Sequence, residues 1–466
     1  MTILGRAARA AQGYIARCIV PCRARLAPSS QQAMRKVPPT PAHGLLLILL
    51  IAGWLGVSYT AEGTLKPNVL LIISDDLSVR LGCYGFPVST PNIDRLAAMG
   101  RQFGNAYCPY PLCNPSRASF MSGWRADRTG VWKNTQNERV PGATWLQEWF
   151  KARGHRTGRF GKVFHHPQYF TNWTYQFDSK DAAFSCTESG SIPSNGLSAD
   201  WTWCAQTISD AQTRDGKNAR QAASWIESNR SSSWLCCVGL IRPHTPMDAP
   251  STYYSLYDAA TVPISSDPTD DLLDVPAEAY ADNPPRVMSE ADTRLAVRAY
   301  FASTSFADAQ IGVLLAKLDQ WNLWNRTIVV VLGDHGFLLG EHAGIWGKRV
   351  LFDWATRVPF IVVAPGQPAP GVITGSYAQL VSLFPTLTDM CGLPTPTGSD
   401  GLSLRPIIND PMATVTTGAM TFLQVRPNGL SESNVSNAMR FTQWSLGGLE
   451  LYDLIADPRE NVNLVP

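Results

Sequence analysis

Four short stretches of the chain carry almost no polar positions. Asn68–Ile73 (NVLLII), Trp234–Gly239 (WLCCVG), Thr327–Leu332 (TIVVVL) and Pro359–Ala364 (PFIVVA) are near-continuous apolar runs. Such runs predict strands buried on both faces rather than strands with one wet side. Between them, helical spacing of apolar residues predicts helices at Asn92–Met99, Thr144–Ala152, Gly216–Ser228 and Asp292–Leu323. The last opens with Ser289-Glu290-Ala291-Asp292, a capping-box pattern. Strands alternating with helices imply an α/β class: a mixed, mostly parallel sheet flanked by helices. The stretch from Leu240 to about Arg286, rich in Pro, Asp and Tyr, reads as a long excursion over the sheet edge. A Pro/Gly/Thr-rich link, Gly392–Gly401, separates this body (66–401) from short strand-like pieces at Gly418–Val425 and Ala438–Trp444. Residues 402–466 are therefore expected to form a small C-terminal α+β subdomain, marginal in size and docked on the first.

Charge changes the picture at one end only. Residues 1–43 hold seven Lys or Arg and no acid, while the remainder carries 32 basic and 37 acidic side chains. The overall +2 is thus a leader feature, and the body lacks the basic balance of a nucleic-acid binder. Gly44–Val57 is an apolar run of 14 residues, short for a bilayer span and close to a signal-peptide core. Residues 1–58 are read as a basic leader plus signal peptide, cleaved near Ser58, or as an uncleaved signal anchor. The anchor alone would bring a membrane into play. Either way the body is expected in the secretory pathway, lysosomal or secreted, or periplasmic if bacterial. Of ten cysteines, Cys18 and Cys22 lie in the leader. Cys186 and Cys204 flank a Ser/Gly-rich stretch and are the expected disulfide, while Cys236 and Cys237 read as buried thiols. Sequons at Asn172, Asn229, Asn325 and Asn434 suit a secreted glycoprotein.

Two acidic clusters follow predicted strands: Asp75-Asp76 after NVLLIIS, and Asp334-His335-Gly336 after TIVVVLG. Ligands gather at the carboxyl ends of parallel strands. Adjacent carboxylates there repel unless a cation lies between them, and oxygen donors favour calcium or magnesium.

Cys113-Asn114-Pro115-Ser116-Arg117 fits C-x-P-S-R. It stands in order with Asp75-Asp76, Gly161-Lys162-Val163-Phe164-His165, Arg242-Pro243-His244-Thr245-Pro246, Asp334-His335-Gly336 and Gly347-Lys348. This set resembles the type I, formylglycine-dependent sulfatases over roughly residues 67–390, and again at Leu451-Tyr452-Asp453 and Asp457–Asn461. Gly161–His165, Asp334-His335-Gly336, Tyr300–Ser303 and Gly340–His342 resemble the iduronate-2-sulfatase group within it. The resemblance implies an alkaline-phosphatase-like fold and hydrolysis of sulfate esters. It also implies formylglycine made from Cys113 by a generating enzyme. Asp75, Asp76, Cys113, Asp334 and His335 would hold one calcium ion. Arg117 and Lys162 would hold the nucleophile, and His165 would be the base that expels sulfate. His244 with Lys348 would bind sulfate and protonate the leaving alcohol. The substrate implied is a 2-O-sulfated uronate of heparan or dermatan sulfate. His166 and His342 receive no role. The family's segment before Leu-Tyr-Asp is shortened here, and only Arg440–Trp444 matches it. Rival readings are a sulfatase for another polysaccharide, a phosphonate or phosphate monoester hydrolase on the same fold, and a non-catalytic binder of sulfated glycans.

Overall fold

The computed structural model describes residues 65–196, 199–425 and 429–465, so the expected leader and signal segment lie outside the described residues. An eight-stranded sheet is built from β1 (Asn68–Ser74), β2 (Arg101–Tyr107), β3 (Arg156–Gly161), β4 (Tyr175–Phe177), β5 (Trp234–Leu240), β6 (Thr327–Gly333), β7 (Phe360–Val363) and β8 (Val372–Gln379). Their spatial order is β8-β2-β7-β6-β1-β5-β3-β4. Only β7 is antiparallel to its neighbours, and every other pairing is parallel.

The apolar runs of β1, β5 and β6 are needed because the sheet has no wet face at its centre. Val69, Leu71, Ile73, Val330 and Leu332 point to one side, where they meet Ala118, Phe120 and Met121 of α2 (Cys113–Ser122). Leu70, Ile72, Val329 and Val331 point to the other. There they meet α1 (Pro91–Met99), α3 (Arg214–Ser228) and α4 (Glu290–Gln320) through Ile93, Ile226, Ile311 and Leu314. Helices on both faces of a largely parallel sheet follow from this two-sided burial.

Local signals fix the helix starts. Pro91 opens α1, and Asp308 of α4 accepts from the main-chain N–H of Asn92 and Ile93 at 3.1 and 2.7 Å. Thr213 caps α3 by accepting from Gly216 N. Ser289 caps α4, accepting from Asp292 N at 3.1 Å. The reciprocal half of the expected capping box does not form. Asp292 instead accepts from the Ser289 hydroxyl at 2.6 Å, its side chain being one methylene shorter than the Glu of the motif.

Cys186–Ile192, Trp201–Gln206 and Ala249–Pro250 make a small three-stranded sheet, tied by the expected Cys186–Cys204 disulfide. Cys236 and Cys237 are buried free thiols. At the C-terminal end, β9 (Gly418–Val425), β10 (Gly429–Ser436), β11 (Met439–Gln443) and β12 (Leu449–Asp453) form an antiparallel meander. Its Phe422, Leu423, Trp444 and Tyr452 share one cluster with Tyr110, Leu338, Ile345, Val350 and Phe352 of the larger portion. Leu65–Pro466 accordingly forms one compact unit. Among the described residues no helix is long and apolar enough to cross a membrane.

Candidate active site

Because β1, β3, β5 and β6 are mutually parallel, their carboxyl ends open on one edge of the sheet. β1 delivers Asp75 and Asp76, β6 delivers Asp334 and His335, β3 delivers Lys162, and the turn after β5 carries Arg242 and His244. Asp76 sits in the left-handed region at φ 62°, a strained position for a non-glycine residue. Tyr300 of α4 clamps this turn: its hydroxyl donates to Asp76 O at 2.7 Å and accepts from Ser78 N at 2.9 Å.

Cys113 is the first residue of α2 and is fully buried. Lys348 Nζ lies 3.2 Å from its Sγ and His335 Nε2 lies 3.3 Å away. Burial alone would raise this thiol, but Lys162, Lys348, His335 and His165 outweigh it and hold the group well below its ordinary value. Around the sulfur the charges interlock. Lys162 pairs with Asp75, and Lys348 with Asp76. Arg117 reaches Asp334 through Nε at 2.9 Å and Asp75 through Nη2 at 3.6 Å. Its Nη1 donates to the main-chain oxygens of Lys162 and, at 3.1 Å, Val163. The acids divide accordingly. Burial and Cys113 push Asp75 up, yet Lys162, His244 and Arg117 hold it far below the carboxylate range. Burial and the neighbouring Asp75 push Asp334 up. Burial opposes charge on His335, and Asp334 overrides it to about 9.

Ring orientation follows from backbone acceptors. His244 Nδ1 donates to Thr245 O at 2.6 Å, leaving Nε2 to face Asp76 at 3.8 Å. His335 Nδ1 donates to Gly336 O at 3.0 Å, leaving Nε2 toward Cys113.

The donor set suits a hard cation. Asp75 Oδ1 and Asp76 Oδ2 are buried without a hydrogen-bond partner. Ligand atoms of Asp75, Cys113, Asp334 and His335 lie within 4.8 Å of one another, as do those of Asp75, Asp76, Cys113 and His244. Unpartnered buried carboxylate oxygens are what a calcium-sized ion would satisfy.

Every site residue expected from sequence is thus brought together: Asp75, Asp76, Cys113, Arg117, Lys162, His165, His244, Asp334, His335 and Lys348. His166 turns away to the buried Glu138, Nδ1 to Oε2 at 2.6 Å, and His342 stacks on Phe352 and bonds Asp271 at 2.8 Å. Several supporting bonds carry no sequence signal of their own. Ser116 donates to Asp334 O at 2.5 Å, Ser74 donates to Arg242 O at 2.6 Å, and Asn283 Nδ2 donates to Trp346 O and Lys348 O at 2.7 and 2.9 Å. Ser116 belongs to the C-x-P-S-R motif and Ser74 precedes Asp75-Asp76, but their partners lie far off in the chain, so no local pattern marks these bonds, and Asn283 stands alone. From Lys162, His165 and His244 a pocket of about 600 Å³ opens to solvent.

Comparison with known proteins places this geometry. Residues 67–393 match the protein family described as Sulfatase. The Homo sapiens protein named iduronate 2-sulfatase is 32% identical over 420 residues, covering 77% of this chain and 76% of that protein. Arylsulfatase K of Bos taurus is 28% identical over 441 residues, covering 85% and 78%. Among solved structures, a phosphonate monoester hydrolase from Silicibacter pomeroyi superposes with a TM-score of 0.73 at 20% identity, covering 86% of this chain and 91% of that one. That likeness is one of fold, the alkaline-phosphatase-like architecture expected from the sequence.

Proposed function

The chain belongs to the sulfatase family, and on that premise we propose that it hydrolyses the sulfate ester of a 2-O-sulfated uronate in a heparan- or dermatan-type glycan. One observation carries the hydrolase reading: Cys113 heads a buried helix between three cations, Arg117, Lys162 and Lys348, and three carboxylates, Asp75, Asp76 and Asp334. A sulfate monoester is an anion that repels nucleophiles, so fixed positive charge at the reacting centre is the first requirement. The uronate reading is supported by the Lys162–His165 and Asp334-His335 segments and by the iduronate 2-sulfatase relative.

Oxidised to formylglycine by a generating enzyme, Cys113 would supply a hydrated aldehyde, one hydroxyl of which attacks sulfur while the other later expels sulfate. Asp75, Asp76, Asp334 and His335 would hold a calcium ion, which supplies charge for the sulfate oxygens. Arg117 and Lys162 orient the nucleophilic oxygen and favour its ionised form. His165, which lines the pocket with Lys162 and His244, removes the proton that lets sulfate leave. His244 Nε2 faces the site because Nδ1 is committed to Thr245 O, so Nε2 is the atom that gives the leaving alcohol its proton. Lys348 balances the charge on the sulfate. Over one turnover a single water would be consumed: one hydrogen goes to the alcohol, the oxygen to sulfate and the second hydrogen to solvent as the proton taken by His165. That water is added when the aldehyde is hydrated again. The basic, then apolar, leader supports export through a compartment that holds the generating enzyme.

The test uses purified protein made with that enzyme present. An aryl sulfate and an aryl phosphate separate sulfatase from phosphatase chemistry. A 2-O-sulfated uronate disaccharide set beside a 6-O-sulfated hexosamine separates the sugars. Faster phosphate turnover would overturn the hydrolase assignment, and preference for the hexosamine would overturn the uronate.

A further inference from the structure

The pocket that opens from Lys162, His165 and His244 is also lined by Gln206, Arg242 and Asp248, which the sulfur chemistry does not use. Sheet register explains their proximity. Gln206 pairs with Pro250 in the small sheet, and Arg242 Nε donates to Asp248 O at 2.8 Å, two residues before Pro250. Gln206 is 2% exposed, yet its Nε2 has no hydrogen-bond partner. Buried amide donors in native structures almost always have an acceptor, so a missing one on a pocket wall points to a ligand that supplies it. Arg242 is similarly underused. Its Nη1 and Nη2 make only long contacts, each 3.4 Å, to His244 O and Asp248 Oδ2.

Four acids line the same pocket, and each has a partner there: Asp181 accepts from the main-chain N–H of Arg214 at 2.6 Å. Asp178 is held by Arg214 through two bonds of 2.9 and 2.7 Å. Asp215 accepts from the main-chain N–H groups of Ile241 and Arg242, and the Arg242 charge also acts on it against burial. Burial pushes the Asp248 carboxyl up, against the pull of Arg242.

We infer that Gln206 and Arg242 form the subsite that receives the carboxylate of the uronate ring whose sulfate lies against Cys113. The inference rests on the uronate reading proposed above. A planar carboxylate offers two oxygens, and this wall offers one charged and one neutral donor. A site built to bond a polar group rejects the analogue that lacks it more strongly than an apolar pocket rejects a changed methylene. The carboxylate would therefore set specificity, while sulfur chemistry proceeds a few atoms away.

The experiment measures kcat/KM on two disaccharides carrying the same 2-O-sulfate, one with the uronate carboxyl intact and one with it reduced to the alcohol. The protein is the full chain, converted at Cys113 and supplied with calcium. Wild type is expected to favour the intact uronate by roughly 100-fold. Gln206→Leu and Arg242→Gln are each expected to lower that ratio by about tenfold, mainly through KM. Gln206→Glu, which sets a carboxylate against a carboxylate, lowers it further, and it serves if the leucine variant unfolds. Equal turnover of the two sugars by wild type, or an unchanged ratio in folded variants, overturns the subsite. If neither sugar is hydrolysed while an aryl sulfate is, the uronate reading fails and takes the subsite with it.

Discussion

Arg440→Met is the substitution whose cost the structure specifies best. Arg440 is 1% exposed and lies on β11, where Nε pairs with Glu460 and Nη2 with Asp353 Oδ1 at 2.7 Å. Nη1 donates to Ser433 Oγ at 3.1 Å, and Glu460 Oε2 accepts from Asp353 N at 2.6 Å. The cluster ties the C-terminal meander to the segment that follows Lys348. Met is close in volume but leaves the buried Glu460 without its cation, while Asp353 keeps Arg357 at 3.1 Å, a change that costs about 3–5 kcal/mol. With an unfolding entropy near 2.1 cal/mol/K per residue over about 400 residues, that cost lowers Tm by about 4–6 °C. The deficit depends on pH. Burial already pushes the Glu460 carboxyl up, against the pull of Arg440. Without Arg440 it rises further, and a carboxyl raised in the folded state contributes stability below its unfolded value, lost as pH rises through the folded one. The loss is therefore largest near pH 8 and shrinks toward pH 5. Thermal unfolding at one fixed scan rate, at both pH values, reads it, since chains of this size commonly unfold irreversibly. Arg440→Met with Glu460→Gln should recover part of the loss at pH 8. A deficit under about 1 kcal/mol, or one identical at the two pH values, refutes the reasoning.

Other outcomes follow from single contacts. Glu450 is buried, and burial raises its carboxyl from 4.5 to about 7 despite bonds from Trp444 and Tyr452. Stability from this group is full below pH 4.5 and lost as pH passes 7, so Glu450→Gln should gain up to about 3 kcal/mol at pH 8 and almost nothing at pH 4.5 in the same unfolding assay. Cys113→Ser should leave Tm within about 1 °C of wild type and abolish sulfate ester turnover; mass spectrometry of the wild-type peptide beginning after Arg101 should show the thiol converted to aldehyde. Chelation should remove activity and lower stability by about 2–3 kcal/mol relative to calcium at a hundred times its Kd, with calcium restoring both. Asn283→Ala frees the main chain at Lys348, and kcat should fall about tenfold with KM little changed.

What the sequence disclosed depended on whether a residue's neighbours in space were also its neighbours in the chain. β1, β5, β6 and β7 were legible because burial on both faces forces unbroken apolar runs. β2 (RQFGNAY) and β3 (RTGRFG) were not, since their polar residues are buried through partners elsewhere. Arg101 is wholly buried, for instance, because the main-chain oxygens of Ile407, Ile408 and Val372 accept from it. The candidate site was legible as a set because strand ends deliver adjacent residues such as Asp75-Asp76 and Asp334-His335. Gln206, Asn283 and Glu138 stand alone among ordinary polar residues, and nothing local tells a buried orphan from a solvated one. The capping pattern at Ser289 predicted the helix start but not the bonding, which turned on one methylene of Asp292.

The complete burial of Cys113 at the head of α2 also bears on the order of events in the protein's making. A side chain closed in by Lys348, His335 and the flanking strand ends presents nothing to a second enzyme once the sheet has assembled. If Cys113 is matured to an aldehyde as proposed, that step must run ahead of tertiary closure, while residues 113–117 are still an accessible peptide. Folding and modification then compete for the same nascent chain. Variants that slow the docking of α2 should emerge more fully converted, and fast folding should carry a fraction of molecules past the point where they can ever be activated.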